Sequence, residues 1–317
     1  MRTVPLGTTG AQVPNVVAGM MRIADKTDEQ IRELYTTARD AGIDFFDHAD
    51  LYGFRHPGGG THFCERRFSE ALQLTGADRD EITLQTKTGI VDGEEWHYDS
   101  SYEHIVSSVE DSLRALGTDR IDVLLLHRPD ALFEPEEVAR AFDELESSGK
   151  VRSFGVSNYT PRQIDLLKTA VRQPIVTNQV QLSVTHSTIV TQGLVANTAD
   201  DDAVTRDGGG LVEHARINRI TLQAWSPFQK GGGQGGVFLG DPDLPELNTM
   251  LDKLAAKYGV TPMAIATAWI TRHPAAMQVV LGTTTPQRVT DAAAGSDVRL
   301  TRSEWYGLVQ AAGHRVP

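Results

Sequence analysis

Short runs of apolar, β-branched or aromatic residues alternate with longer segments of helical period along almost the whole chain. The short runs fall at 16–18, 43–46, 82–85, 122–126, 151–156, 175–180, 220–224 and 278–281. Near-continuous apolar character over such short lengths is the pattern of strands buried on both faces of a parallel sheet. Segments with apolar positions recurring every three or four residues fall at 28–41, 65–74, 101–116, 135–148, 161–170, 210–218, 262–272 and 286–294. Several open on Thr-Pro, as at Thr160-Pro161, Thr261-Pro262 and Thr285-Pro286, with threonine as the cap and proline in the first turn.

Eight alternating strand and helix units predict an α/β fold with a parallel sheet. No linker rich in Pro, Gly and Ser divides the series. The expectation is therefore one closed (β/α)8 TIM barrel domain over 1–317 rather than two doubly wound domains. Residues 2–15 read as a small hairpin that plugs the end opposite the mouth. Gly- or Asp-rich stretches at 54–63, 191–209 and 229–244 read as long loops over the C-terminal face, where barrels assemble their sites.

Composition narrows the partners. The chain has 317 residues, 40% hydrophobic and 23% charged, which is ordinary for a globular protein with a large core. A net charge of −12 repels phosphate backbones and anionic lipid, so neither nucleic acid nor a membrane surface is expected as a partner. The single cysteine, Cys64, has no intrachain partner, and the first residues carry no uninterrupted apolar stretch of a secretion signal. The longest clear apolar runs, such as VLLL at 123–126, are strand-sized. A reducing, cytoplasmic setting is the expectation.

Polar groups directly after barrel strands carry the most information, because a rigid element aims them at the mouth. Asp47, Lys87 and His127 close three consecutive early runs, and Tyr52 follows Asp47 by five residues. Each alone has a bland reading: a helix cap, a solvated strand end, a packed ring, a hydrogen-bonded imidazole. Four at consecutive strand ends point to one site. A metal-dependent hydrolase would use Asp47, His48, Asp50 and His127 as ligands, but the sequence lacks an H-x-H after the first strand, so no metal is expected. A Schiff-base aldolase built on Lys87 would leave Tyr52 and the last helix start without a role.

The residues around these positions resemble the aldo-keto reductase superfamily. The similarity is carried by GIDFFDHADLYG at 42–53, LQTKTG at 84–89, LLLHRPD at 124–130, FGVSN at 154–158, NQVQ at 178–181, AWSPF at 224–228 and LGTTTPQRV at 281–289. FDHAD and LLLHRPD resemble the bacterial oxidoreductase branch in particular. The resemblance implies reduction of an aldehyde or ketone by NADPH, with NADH usable at lower affinity, and a catalytic tetrad of Asp47, Tyr52, Lys87 and His127. It also implies that Ser157, Asn158 and Gln179 hold the nicotinamide carboxamide and that Trp225 stacks on the ring. Ser226, Pro227 and Phe228 would pass the pyrophosphate. Gly282, Thr283, Thr284, Thr285 and Arg288 would meet the adenosine phosphate at a helix start.

Within GMMR at 19–22, Met20, Met21 and Arg22 should touch the cofactor, although both methionines read equally well as core. Two departures bear on the adenosine end: Gly282 stands where many members have lysine, and Asp291-Ala292 where many have Glu-Asn. Phe54, Trp96, His97, Tyr98 and Phe228 are candidates for the substrate pocket. The partner expected is a small carbonyl compound, and the protein is expected to be a monomer. The alternative is a dinucleotide-binding regulatory subunit of the same fold with little turnover, against which the complete tetrad argues.

Overall fold

The computed structural model describes residues 1–93, 96–196, 209–231 and 235–317. Parts of two expected loops, 197–208 and 232–234, therefore lie outside the described residues. Among the described residues, eight parallel strands close into a barrel: β3 (Val16–Gly19), β4 (Phe45–Asp47), β5 (Thr83–Thr88), β8 (Val123–Leu126), β9 (Phe154–Ser157), β10 (Ile175–Gln181), β11 (Thr221–Trp225) and β12 (Gln278–Leu281). Their order around the barrel is the order in the chain, with β12 pairing back onto β3 through Val279↔Val16 and Val280↔Val17. The eight runs of the sequence are these eight strands, with ends that differ by at most three residues and none at 278–281.

The antiparallel hairpin of β1 (Thr3–Pro5) and β2 (Gln12–Pro14) caps the N-terminal end of the barrel. Val4, Leu6 and Val13 bury their side chains against Val17, Phe45, Val123, Leu125 and Val280 inside it. A second short hairpin, β6 (Ile90–Val91) with β7 (His97–Tyr98), rises from the opposite end after β5.

The helices outside the barrel are α1 (Asp28–Asp40), α2 (Phe63–Leu72), α3 (Gly76–Asp80), α4 (Tyr102–Leu116), α5 (Pro135–Ser147), α6 (Pro161–Leu167), α7 (Thr188–Thr191), α8 (Leu211–Asn218), α9 (Pro245–Tyr258), α10 (Pro262–Thr271), α11 (Pro286–Ala294) and α12 (Arg302–Ala311). Eight correspond to the segments of helical period. The two longest additions, α9 and α12, pack on each other, and α9 also packs on α10. Both carry legible signals, Leu247, Leu251, Leu254 and Ala255 at helical spacing in α9 and a Thr301/Glu304 capping box in α12. A barrel needs only one helix per strand, so α10 and α11 fill the last units and leave these two as extras. Among the described residues, no helix is long and apolar enough to cross a membrane.

Outward-facing strand residues and inward helix faces form the larger core. In one contact of that layer, Phe142 on α5 stacks on Phe154 of β9 at 4.0 Å between ring centroids. Both rings are essentially inaccessible to solvent. Phe142→Ala removes this filling and leaves a cavity that rigid strands cannot close, so unfolding free energy should fall by about 3–5 kcal/mol. Urea denaturation checks this; a loss below about 1 kcal/mol would show that α5 is anchored elsewhere.

Candidate active site

Strand alternation decides which residues face inward. In β4, Phe46 packs outward beside Tyr35 and Phe68, so Phe45 and Asp47 face the barrel interior. In β5 the same parity turns Gln85 and Lys87 inward, with Asp47 registered against Gln85. The Lys87 ammonium is wholly buried and lies 2.7 Å from both carboxylate oxygens of Asp47. It also donates to the His48 carbonyl at 2.7 Å and reaches the Tyr52 hydroxyl at 3.0 Å.

Tyr52 comes back over the mouth because the chain turns sharply after β4. Tyr52 N–H donates to the Ala49 carbonyl at 3.1 Å, and Gly53 follows with φ of 89°. A Cβ on Gly53 would sit 2.8 Å from the Phe63 ring, so glycine is required for both conformation and space. The Tyr52 carbonyl then accepts from Cys64 N–H at 3.1 Å, and the Asp50 carbonyl from His62 N–H, which tie the loop to the start of α2.

His127 directly follows β8, its N–H bonded to the Thr88 carbonyl at 2.8 Å. Its ring meets Tyr52 edge to face at 6.0 Å between centroids. Among the described residues, His127 Nδ1 is buried with no hydrogen-bond partner. The four residues expected as a tetrad thus converge, and Asp47, Tyr52 and His127 line one cavity of about 500 Å³ at the C-terminal end of the barrel.

Burial and neighbouring charge act in opposite directions here. Burial works against the Lys87 ammonium, but Asp47 and Tyr52 outweigh it and hold its pKa above the ordinary value. For Tyr52, burial raises the pKa more than the Lys87 charge lowers it, so the phenol keeps its proton beyond the ordinary tyrosine range. Lys87 does pull toward the ionised phenol, and desolvation exceeds that pull. His127 is held well below its ordinary pKa by burial, then by Lys87 and Arg128, and is neutral at neutral pH.

A column of glutamines supports the ion pair from below. Gln85 Nε2 donates to Asp47 Oδ1 at 2.6 Å and Gln179 Nε2 to the same oxygen at 3.1 Å. Gln85 and Gln179 also donate to Gln223 Oε1, Gln223 donates to Gln278, and Gln278 donates to the Pro14 carbonyl of the hairpin at 2.7 Å. Sequence reading did not single out Gln85, Gln223 or Gln278. The signal was a polar residue recurring within otherwise apolar strands.

The remaining expected residues are distributed as follows. Ser157, Asn158, Gln179, Trp225, Ser226, Pro227 and Phe228 all line the cavity, as do Met21, Arg22, Gly282, Thr283 and Arg288. Met20 does not: it is buried in the core, while its neighbour Met21 is exposed at the mouth. Thr284 and Thr285 stand outside the lining. Trp225 is pinned by a hydrogen bond from its Nε1 to Asn158 Oδ1 at 3.0 Å, and Asn158 Nδ2 donates to Ser157 Oγ at 2.8 Å.

Arg22 donates to the Gly282 carbonyl at 3.1 Å, which brings β3 and β12 together over the mouth. Thr285 caps α11 without a side-chain bond and Pro286 has no N–H; Arg288 N–H donates to the Thr285 carbonyl at 3.0 Å, which leaves the Gln287 N–H at the helix start. Asp291 accepts from Gln287 at 2.9 Å, and no ion pair ties it to Arg288. Arg22, Arg288 and that uncapped helix start suit the phosphates of a dinucleotide, and the pinned Trp225 face suits its nicotinamide.

Of the five substrate-pocket candidates, Phe228 lines the cavity. Phe54 and Trp96 instead meet each other at 5.5 Å, and His97 and Tyr98 form β7. Sequence reading missed Arg128, Gln229, Leu239 and Met263, which also line the cavity. Arg128 stood in the LLLHRPD motif beside His127; Gln229 and Leu239 depend on loop paths that no local pattern encodes, and Met263 lies in the first turn of α10. His48 and Asp50 of the metal reading face away from the mouth: His48 packs on Phe68 at 4.7 Å and Asp50 accepts from Ser108 at 3.0 Å.

Comparison with known proteins agrees with this arrangement. The profile of the Aldo/keto reductase family matches residues 15–312. A 6-dehydroglucose reductase of Agrobacterium fabrum is 33% identical over 94% of this chain and 93% of its own length. Oxidoreductase YdhF of Escherichia coli is 31% identical over the full length of both chains. The crystal structure of a thermostable aldo-keto reductase bound to the inhibitor epalrestat superimposes with a TM-score of 0.75, covering 98% of this chain and 100% of that one at 22% identity, which supports the fold. Barrel, site and matches together place this chain in the aldo/keto reductase family.

Proposed function

We infer from membership of this family that the protein is a nicotinamide-dependent oxidoreductase of carbonyl compounds. We propose that it reduces an aldehyde or ketone to the alcohol with NADPH as the preferred cofactor and Tyr52 as the proton donor. The observation that carries this reading is the Lys87 ammonium, 3.0 Å from the Tyr52 hydroxyl and 2.7 Å from Asp47.

The bound cofactor would supply a hydride to the carbonyl carbon. The protein must then stabilise charge developing on the oxygen and deliver a proton to it. Tyr52 is protonated at neutral pH and faces the cavity, so its hydroxyl can give that proton. Lys87 stabilises the phenolate left behind, and Asp47 keeps Lys87 charged and fixed. Neutral His127, beside the Tyr52 ring, donates a hydrogen bond to the carbonyl oxygen and sets its angle. Ser157, Asn158 and Gln179 would hold the nicotinamide amide, with the Trp225 ring against its face.

Tyr52→Phe removes one hydroxyl and leaves the ring. The turnover number should fall about 100-fold or more, while the NADPH dissociation constant, read by protein fluorescence, stays within about twofold. Near-normal turnover would sink the assignment. Lys87→Met should also abolish turnover, because the phenolate would lose its neighbouring charge.

Preference for NADPH rests on Arg288 and the uncapped start of α11. The two cofactors differ by the adenosine 2′-phosphate, a dianion that gains from a helix start and a guanidinium. Arg288→Ala should weaken NADPH binding by about tenfold or more and leave NADH nearly unchanged. Equal NADPH affinity in the two proteins would confine Arg288 to a surface role.

A further inference from the structure

The cavity is lined by cations at two separated places. Arg22 and Arg288 stand over β3 and β12, beside Gly282 and Thr283. Arg128 stands after β8, which lies four strands from β12 in either direction round the closed barrel and so faces it across the mouth. One phosphate cannot be shared between the two places. The cofactor reading accounts for Arg22 and Arg288 and leaves Arg128 without a task.

Arg128 is held by its neighbours rather than by a partner for its charge. His127 N–H anchors the chain on its N-terminal side, and Asp130 anchors the other side, its carboxylate accepting from Ser100 N–H at 2.9 Å and from Leu132 N–H at 2.8 Å. Between these two points the guanidinium extends inward until it lies 5.8 Å from the Trp225 ring centroid, although Trp225 belongs to β11 on the far side of β9 and β10. Among the described residues, it makes no ion pair or hydrogen bond with another side chain. A guanidinium stacked on an indole keeps its N–H edge free, and that edge matches a pair of oxygens.

We propose that Arg128 determines substrate specificity by binding an oxyanion, a carboxylate or phosphate, carried by the carbonyl substrate. This rests on the reductase reading and adds the class of substrate to it. The carbonyl would lie at Tyr52 and His127, and the oxyanion would lie over the Trp225 side, where Arg128 supplies a planar pair of donors. A neutral carbonyl compound of the same shape would leave the guanidinium with water alone and gain nothing from it.

The test compares 4-carboxybenzaldehyde with its neutral isostere 4-formylbenzamide, and glyceraldehyde 3-phosphate with glyceraldehyde, as kcat/KM ratios with saturating NADPH. Using ratios cancels any general effect of the substitution on His127. The wild-type protein should favour the charged member of at least one pair by tenfold or more, the lower end of what a hydrogen bond to a charged group supplies. The pair that responds tells carboxylate from phosphate. Arg128→Met should bring that ratio to about one, Arg128→Lys should keep part of it, and added salt should shrink it in the wild type.

Ratios near one in the wild type, or a preference that survives in Arg128→Met, would overturn the inference while leaving the reductase reading intact. So would a tenfold rise in the NADPH dissociation constant of Arg128→Met with unchanged ratios, which would assign the guanidinium to the cofactor. Failure of the wild type to reduce any of the four aldehydes would count against the reductase reading itself, and the inference would fall with it.

Discussion

Everything at the mouth of the barrel depends on a lysine ammonium and an aspartate carboxylate held together out of water. Removing two charges from solvent costs several kcal/mol per ion even after relaxation, and their attraction offsets this only when geometry and hydrogen bonding are complete. Lys87 meets that condition with Asp47, the His48 carbonyl and the Tyr52 hydroxyl around one nitrogen. Asp47 meets it through the amides of Gln85 and Gln179 in addition to the ammonium. The Tyr52 hydroxyl is therefore one of the contacts that satisfy the lysine, which ties the position of the acid to the stability of the pair.

The glutamine column extends this constraint through the barrel. An apolar cluster of Val17, Phe45, Val123, Leu125 and Val280 is closed by the hairpin, and the rest of the interior is polar. A buried network of this kind is tolerated when its members satisfy one another. Here Gln85 donates both to Asp47 and to Gln223, Gln223 donates to Gln278, and Gln278 donates to the Pro14 carbonyl. The hairpin is thus a plug for the apolar cluster and also the terminal acceptor of the chain of hydrogen bonds that ends at the site.

How much of this was legible in the sequence follows from where the information resides. Buried parallel strands are continuous apolar runs, so all eight could be found, and groups just past their ends could be assigned to the mouth. The convergence of Asp47, Tyr52, Lys87 and His127 at the mouth was legible for that reason. Met20 and Met21 could not be separated, because which of two adjacent residues turns inward after β3 depends on the local path of the chain rather than on residue type. The glutamines could be seen singly, but their pairing requires the register of β5, β10, β11 and β12, which no single strand encodes. Helices α9 and α12 carried readable periodicity and capping, and were lost only because the repeating unit was already complete without them.

Division of labour around the mouth follows from the same topology. Strands β4, β5 and β8 are consecutive in the barrel and bring the Tyr52 hydroxyl, the Lys87 ammonium and the His127 imidazole together at the mouth. Strands β9, β10 and β11 are consecutive too, and they supply amides and an indole, groups that orient a flat ring without adding charge. Strands β12 and β3 close the circle with glycine, threonine and arginine, groups whose chemistry suits a phosphate. A protein with net charge −12 can attract a polyanion to this face only because the cations are gathered there and the acid is already neutralised by Lys87. The buried ion pair therefore does two things at once: it holds the Tyr52 hydroxyl in place, and it neutralises the Asp47 carboxylate at a mouth that also carries Arg22, Arg128 and Arg288.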